Sequence, residues 1–150
     1  MATLTASNIA DYFLYVANES GSYISNLKLQ KLVFYAQAWH LAIYENPLFE
    51  EEFEAWVRGP VIPALYREYQ HFSWKPILKE VQEPKFSPEL QDFLNDLIEV
   101  YFFRDALELE MMTHREEPWI KARNGLPMSE PSNAIISKQS MKDFYKSRAA

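Results

Sequence analysis

The chain contains no cysteine and only three glycines among its 150 residues. The absence of cysteine excludes a disulfide framework, thiolate zinc sites and a cysteine nucleophile. Gly21, Gly59 and Gly125 lie far apart, so no glycine-rich loop is available to hold a phosphate group. The three histidines are at least 30 residues apart and have no metal-ligand spacing. We therefore expect no catalytic residues, no cofactor and no metal site.

Long hydrophobic runs are also lacking. The longest charge-free apolar stretch, residues 32–44, has 13 residues, whereas a membrane span needs about 20. The first five residues, MATLT, contain no basic segment ahead of an apolar run, which a secretory signal requires. The sequence thus predicts a soluble, cytoplasmic protein that does not bind a membrane.

Positive charge is scarce overall. The chain has 15 basic and 21 acidic residues and a net charge of −6, which argues against a dedicated nucleic-acid binder. The imbalance is uneven, because residues 1–110 carry 8 basic and 17 acidic residues, while residues 111–150 carry 7 and 4. Such asymmetry is typical either of an interaction surface or of ordinary solvated charge.

Apolar residues, by contrast, are abundant at 48%, with 15% aromatics, which is enough for the core of one domain of this length. All nine prolines lie at or beyond Pro47, leaving room for two helices before it. Thr5 or Ser7 can cap the first helix, and Ser25 or Asn26 the second. The second helix carries one apolar stripe at helical spacing: Leu29, Leu32, Val33, Ala36, Trp39, His40 and Ile43.

Elements after residue 46 are marked by turn and cap residues. Residues 53–57 alternate as a short strand does, and residues 77–81 form a possible extended partner. Ser87 begins a long helical run, which we divide near residue 103 and end before Pro118. Residues 123–135 read as a loop ahead of a last helix. The prediction is an all-α or helix-dominated single domain over residues 1–150, with about six helices and at most that strand pair.

Two sets of side chains suggest chemistry. Glu110 and His114 lie four residues apart on one helix face, where a carboxylate could orient a general base, or form an ordinary surface pair. Lys138, Lys142 and Lys146 recur every four residues on the last helix. They could face an acidic partner or phosphates, or be solvated.

Three ordered segments resemble the Panacea domain family, whose members include GepA-like phage and mobile-element proteins and SocA-type antitoxins. They are residues 27–39 (LKLQKLVFYAQAW), 54–66 (EAWVRGPVIPALY) and 113–123 (THREEPWIKAR), and the resemblance spans residues 5–147. The family commonly has Tyr-Gly where this chain has Tyr101-Phe102. Asp105 must therefore restart the helix without a glycine before it.

The resemblance implies a largely helical fold and an antitoxin that neutralises a protein toxin by direct, stoichiometric binding, without catalysis. Two alternatives remain open. One is a phage or mobile-element adaptor that presents a protein to a host protease or blocks a host factor. The other is a small hydrolase or nuclease that uses His114 with Glu110 or Glu116.

The shared motif positions are expected to be structural rather than contacts: Leu29, Gln30, Lys31, Leu32, Tyr35, Trp39, Trp56, Gly59, Pro60, Thr113, His114, Pro118 and Trp119. If the protein is a direct-contact neutraliser, it needs aromatic or arginine anchors on its surface. The residues predicted to bind the partner lie in the basic C-terminal part: Arg115, Trp119, Arg123, Lys138, Lys142, Tyr145 and Lys146. The alternative surface surrounds the Gly59-Pro60 turn and comprises Trp56, Arg58, Tyr66 and Tyr69.

Overall fold

The computed structural model describes residues 4–149, which form seven α-helices and a small three-stranded sheet. The predicted helix-dominated fold is confirmed, with one helix more than expected. The helices are α1 (Ala6–Ser20), α2 (Asn26–Tyr44), α3 (Pro63–Tyr69), α4 (Pro88–Tyr101), α5 (Ala106–His114), α6 (Glu117–Arg123) and α7 (Lys138–Arg148). The strands are β1 (Phe53–Trp56), β2 (Gly59–Val61) and β3 (Ile135–Ile136), and a 3₁₀ turn (Gln70–Phe72) follows α3.

Most helices begin where a polar side chain caps them. A side-chain oxygen accepts a hydrogen bond from a backbone N–H of the first turn at Thr5, Ser25, Ser87, Asp105 and Ser137. The predicted division of the long helical run is also found, since α4 ends at Tyr101 and α5 begins at Ala106. Asp105 thus restarts the helix without the family's glycine.

Pro118 lies at the start of a helix that the sequence did not predict. We expected a helix to stop before it and found that α5 ends at His114, after which α6 starts at Glu117. Pro118 lies in the first turn of α6, where a missing N–H breaks no helical hydrogen bond. This short helix is the additional one.

Helix α2 is the centre of the fold. All residues from 29 to 38 are buried, because α1, α4, α5, α7 and β2 pack around the helix. The sequence predicts one buried side on this helix, whereas residues 29–38 are buried on every side. Ile43, predicted to belong to the buried stripe, is 53% exposed. Buried apolar side chains from all parts of the described chain join α2 in one continuous cluster.

The sheet differs from the predicted strand pair. Residues 77–81 form no strand, and β1 pairs instead with β2 on one edge and β3 on the other, both antiparallel. Gly59, at φ 107°, provides the tight hairpin between β1 and β2. β3 comes from the end of the predicted loop, with Phe53 opposite Ile136. Among residues 4–149, no helix is both long and apolar enough to cross a bilayer.

Candidate functional site

Two buried glutamines of α2 hold neighbouring segments in place. The Gln30 side chain donates to Asn26 Oδ1 at 3.0 Å and accepts from the backbone N–H of Ile62 at 3.0 Å. The Gln37 amide donates to the Phe49 carbonyl at 2.7 Å and accepts from the Leu48 N–H at 2.7 Å. Satisfied in this way, buried amides fix the chain before and after the β1–β2 hairpin against the central helix.

Lys31 locks the hairpin turn. Its side chain is fully buried, and Nζ donates to the Pro60 carbonyl at 3.1 Å. A Cβ at Gly59 would lie 2.4 Å from Lys31 Cε, so this lysine and the turn need a glycine at that position. Burial lowers the pKa of Lys31 to about 7, partly opposed by the carboxylate of Glu110.

The third motif segment packs behind the same hairpin. The His114 ring stacks on Trp119 with ring centres 4.1 Å apart, and Trp119 Nε1 donates to the Trp56 carbonyl at 2.8 Å. Thr113 Oγ1 donates to the Glu110 carbonyl at 2.7 Å, while the Glu110 carboxylate pairs with Arg58 at 2.9 Å. The three motif segments therefore meet at the hairpin.

The structure places His114 beside Trp119 and not in hydrogen-bond contact with a carboxylate of residues 4–149. Burial lowers its pKa, and Nε2 is enclosed without a hydrogen-bond partner in the described part of the chain. No hydrogen bond joins His114 to Glu110 or Glu116 there; Glu110 is paired with Arg58 instead. Among residues 4–149, no group of three or more metal-ligating side chains could hold an ion.

Glu116 belongs to an aromatic network between α2 and α7. Its Oε1 accepts hydrogen bonds from Tyr35 at 2.6 Å and Tyr145 at 2.8 Å, and burial raises the pKa of its carboxyl group. Tyr35 stacks on Tyr101 at 4.2 Å, and the Tyr101 hydroxyl accepts from Trp39 Nε1 at 2.7 Å. These contacts give the motif aromatics a role in packing.

Three residues predicted to bind the partner lie inside the fold. Trp119, Arg123 and Tyr145 are 3%, 4% and 2% exposed, so the prediction that they are surface anchors is wrong in this structure. Arg123 is buried because its guanidinium donates to the carbonyls of Ala55 and Pro127, both at 2.9 Å. It holds the loop after α6 against the sheet. Of the aromatic and arginine residues predicted as anchors, Arg115 alone is exposed.

Lys138, Lys142 and Lys146, which we call the lysine face, lie beside acidic residues of the same chain. Lys142 and Lys146 are each 3.3 Å from one carboxylate oxygen of Glu45. Lys138 is 3.6 Å from Glu52. The two lysines beside Glu45 lower the pKa of its carboxyl group. The lysine face is therefore partly neutralised within the chain.

An open groove of about 1180 Å³, which we call the hairpin groove, lies along the β1–β2 hairpin. Trp56 and Tyr66 line it, with their rings 5.1 Å apart in a T-shaped contact. Arg58 and Trp74 also line it, and Trp74 is 79% exposed. Three of these four residues belong to the alternative surface predicted from sequence, whose fourth member, Tyr69, is buried.

Sequence reasoning missed Trp74. It lies in the proline-containing connection between α3 and α4, ahead of residues 77–81, in a stretch without helical or strand periodicity. A tryptophan in such a polar segment is the one signal that could have drawn attention to it, since large aromatics are costly to expose without a partner. Ser73 precedes it at φ 57° and ψ −129°, and a positive φ is uncommon for a residue other than glycine.

Residues 29–120, which carry most of the three motif segments, match the family described as antitoxin SocA-like, Panacea domain. The chain belongs to this family. Antitoxin SocA of Caulobacter vibrioides (strain NA1000 / CB15N) is 50% identical to this Panacea domain protein over 44 residues. That alignment covers 29% of this chain and 23% of the relative, so the chain matches less than a quarter of the relative's length. No solved structure matches significantly.

Proposed function

We propose that this protein is an antitoxin that neutralises a protein toxin by direct, stoichiometric binding, and that the toxin contacts the hairpin groove. Family membership supports the antitoxin role. The observation that carries the binding mode is the groove itself, an open concave surface with two tryptophans, a tyrosine and an arginine. These residue types dominate the binding energy of protein interfaces.

The Trp56 side chain and the backbone of Tyr66 are held in place before any partner arrives. Trp56 Nε1 donates to Glu54 at 2.8 Å, and the Tyr66 carbonyl accepts from Asn26 at 3.0 Å. A preorganised surface loses less side-chain entropy when it binds, so more of the contact energy becomes affinity.

Trp74 is presented by a strained backbone. The positive φ of Ser73 costs about 1–3 kcal/mol, and such strain is concentrated at functional positions. Ser73 directly precedes the most exposed large hydrophobic side chain of the described chain. This combination favours Trp74 as an anchor for a partner.

The test is co-expression of this protein with the product of each gene beside its own, with growth rescue and co-purification as readouts. We expect one neighbour to be toxic, to be rescued and to co-purify in a fixed ratio. Trp74→Ala should lower the affinity at least tenfold, because anchor truncations typically cost 2 kcal/mol or more. Leu78→Ala is the matched control, since Leu78 is exposed nearby but does not line the groove.

Other outcomes contradict the proposal. Rescue that requires a host protease and removes the neighbour's product indicates the adaptor alternative. Rescue without co-purification, lost in His114→Ala while folding is intact, indicates catalysis. A Trp74→Ala variant that binds like the unchanged protein moves the contact away from the groove.

A further inference from the structure

The outward side of α4 carries acidic residues and no basic one. The whole helix contains four acidic residues. Glu89 lies in the first turn, where the helix dipole favours a negative charge. Asp92, Asp96 and Glu99 gain no such stabilisation, are exposed, and pair with no basic side chain within residues 4–149.

Exposed apolar side chains follow the acidic residues along the chain, at the end of α4, in the turn and on α5. Val100, Phe103, Leu107 and Met111 follow one another at spacings of three or four residues and are all exposed, Phe103 by 72%. The neighbouring Arg104 is paired with Glu108, so it does not offset the acids. We call Asp92, Asp96 and Glu99 together with these four apolar residues the acidic–apolar face.

Helix α5 is apolar on two opposite sides. Leu109 is fully buried in the core, whereas Leu107 and Met111 point to solvent. Large apolar side chains that are exposed together on one side of a helix often mark a site of interaction. The inner side of α5 is covered by α2 and β2, and the outer side is covered by nothing within the described chain.

We propose that the acidic–apolar face binds an amphipathic helix of a partner protein whose apolar side is flanked by lysine or arginine. Side chains spaced four apart form a ridge that packs into the groove between the ridges of another helix. The unpaired carboxylates beside this ridge select basic flanks, since opposite charges steer encounter and like charges reject other partners.

A second copy of this chain is a poor occupant for this face. Two copies docked through it would bring their unpaired acidic residues close together, and like charges facing one another oppose association. An acidic or neutral helix has no positive charge to place beside the carboxylates of the acidic–apolar face. A basic amphipathic helix satisfies both parts of the face at once.

The experiment uses the whole protein and two synthetic 18-residue helical peptides, measured by fluorescence anisotropy. Both peptides carry leucine on one side; the flanks are lysine in one and glutamate in the other. We expect the leucine–lysine peptide to bind at least tenfold more tightly. Leu107→Ser/Met111→Ser should weaken binding at least tenfold, and Asp92→Asn/Asp96→Asn several-fold. Leu78→Ser, an exposed leucine elsewhere, should change nothing.

Equal binding of the two peptides overturns the proposal, as does unchanged binding by the Leu107→Ser/Met111→Ser variant, which indicates attraction to the net charge alone. The aspartate variant keeps the test decisive if the serine variant fails to fold. A dimer detected by sedimentation and dissociated by either variant would assign the face to self-association instead. Because no toxin is used, these outcomes are separate from those for the hairpin groove.

Discussion

The lysine face and the acidic–apolar face are both rows of like charge on amphipathic helices, yet only one retains its charge unopposed. The lysines meet Glu45 and Glu52, which lie about 90 to 100 residues earlier in the chain. The carboxylates of Asp92, Asp96 and Glu99 meet no cation within residues 4–149. A row of like charges on a predicted helix therefore remains available to a partner only if the folded chain places no opposite charge beside it.

The two faces also differ in whether their apolar side chains are packed inside the fold or exposed. Under the lysine face, α7 packs on α2 through Tyr145, whose ring lies 6.0 Å from Tyr35 and 5.4 Å from Trp39. On the acidic–apolar face, the apolar side chains point outward. Substitutions should therefore affect stability on the first face and partner binding on the second.

The largest contrast is expected between Trp39→Ala and Phe103→Ala. Trp39 packs on Tyr145 and donates to Tyr101, so its removal should cost about 3 kcal/mol of unfolding free energy. Phe103 is mostly exposed, and its removal should cost within about 0.5 kcal/mol. Urea denaturation measures both. Equal costs would show that the two faces are packed alike.

The Glu116 network allows a second distinction in the same region. Glu116→Ala leaves the hydroxyls of Tyr35 and Tyr145 without their acceptor, and should cost about 2–3 kcal/mol. Glu116→Gln keeps an acceptor oxygen and removes a carboxyl group whose burial opposes ionisation, so it should cost much less. A glutamine variant as unstable as the alanine variant would contradict this account.

Lys31 differs from the charges of both faces, because it is fully buried and no carboxylate of residues 4–149 accepts a hydrogen bond from it. Its pKa of about 7 lies below the usual 10.5, so between these values the unfolded chain binds more protons than the folded one. Stability should therefore rise with pH from 7 to 9, by at most about 1.4 kcal/mol per pH unit. Lys31→Met should lose this rise, as measured by urea denaturation at several pH values. Parallel curves for the two proteins would show that Lys31 does not cause it.

Charge reversal on the lysine face should have a smaller effect, and one that depends on salt. Changing Lys138, Lys142 and Lys146 together to Glu places like charges beside Glu45 and Glu52. The melting temperature should fall at low ionic strength and recover in about 1 M salt, where exposed charges are screened. A change to Gln at the same positions should give a weaker fall. No change at low salt would mean that the observed ion pairs contribute nothing.

The smallest effect is expected on the acidic–apolar face, where removing a charge should stabilise the protein rather than destabilise it. Asp92 and Asp96 are four residues apart on α4, and like charges at this spacing destabilise a helix by about 0.2–0.5 kcal/mol. Asp96→Asn should therefore raise the unfolding free energy slightly at low salt and not at high salt. A destabilising result would mean that Asp96 has a stabilising partner.

Local signals in the sequence predicted local structure well. Capping side chains placed the starts of helices, and Asp105 marked the restart after α4. Pairing and burial depend on distant segments and were missed for that reason. The short strand β3 joins β1 from about 80 residues away, and α2 is covered from all sides by elements that its own periodicity does not record.

The residues of the candidate site also divide into those that are close in sequence and those that only folding brings together. Trp56, Arg58 and Tyr66 follow one another within eleven residues around a turn, so the sequence could place them together. Trp74 reaches the hairpin groove only through tertiary folding. Trp119, Arg123 and Tyr145 have the residue types of interface anchors and of core residues alike, and their burial is decided by carbonyl and carboxylate partners elsewhere in the chain.

The position of α2 also has a consequence for the nascent chain. Helix α7, which covers one side of α2, follows it by about 100 residues. At a synthesis rate of about 5–20 residues per second, α2 waits about 5–20 s on the ribosome before that cover is made. During this interval its tyrosines and phenylalanine are accessible to chaperones and to other nascent chains. Translation speed over residues 45–148 thus sets how long the most apolar part of the protein stays uncovered.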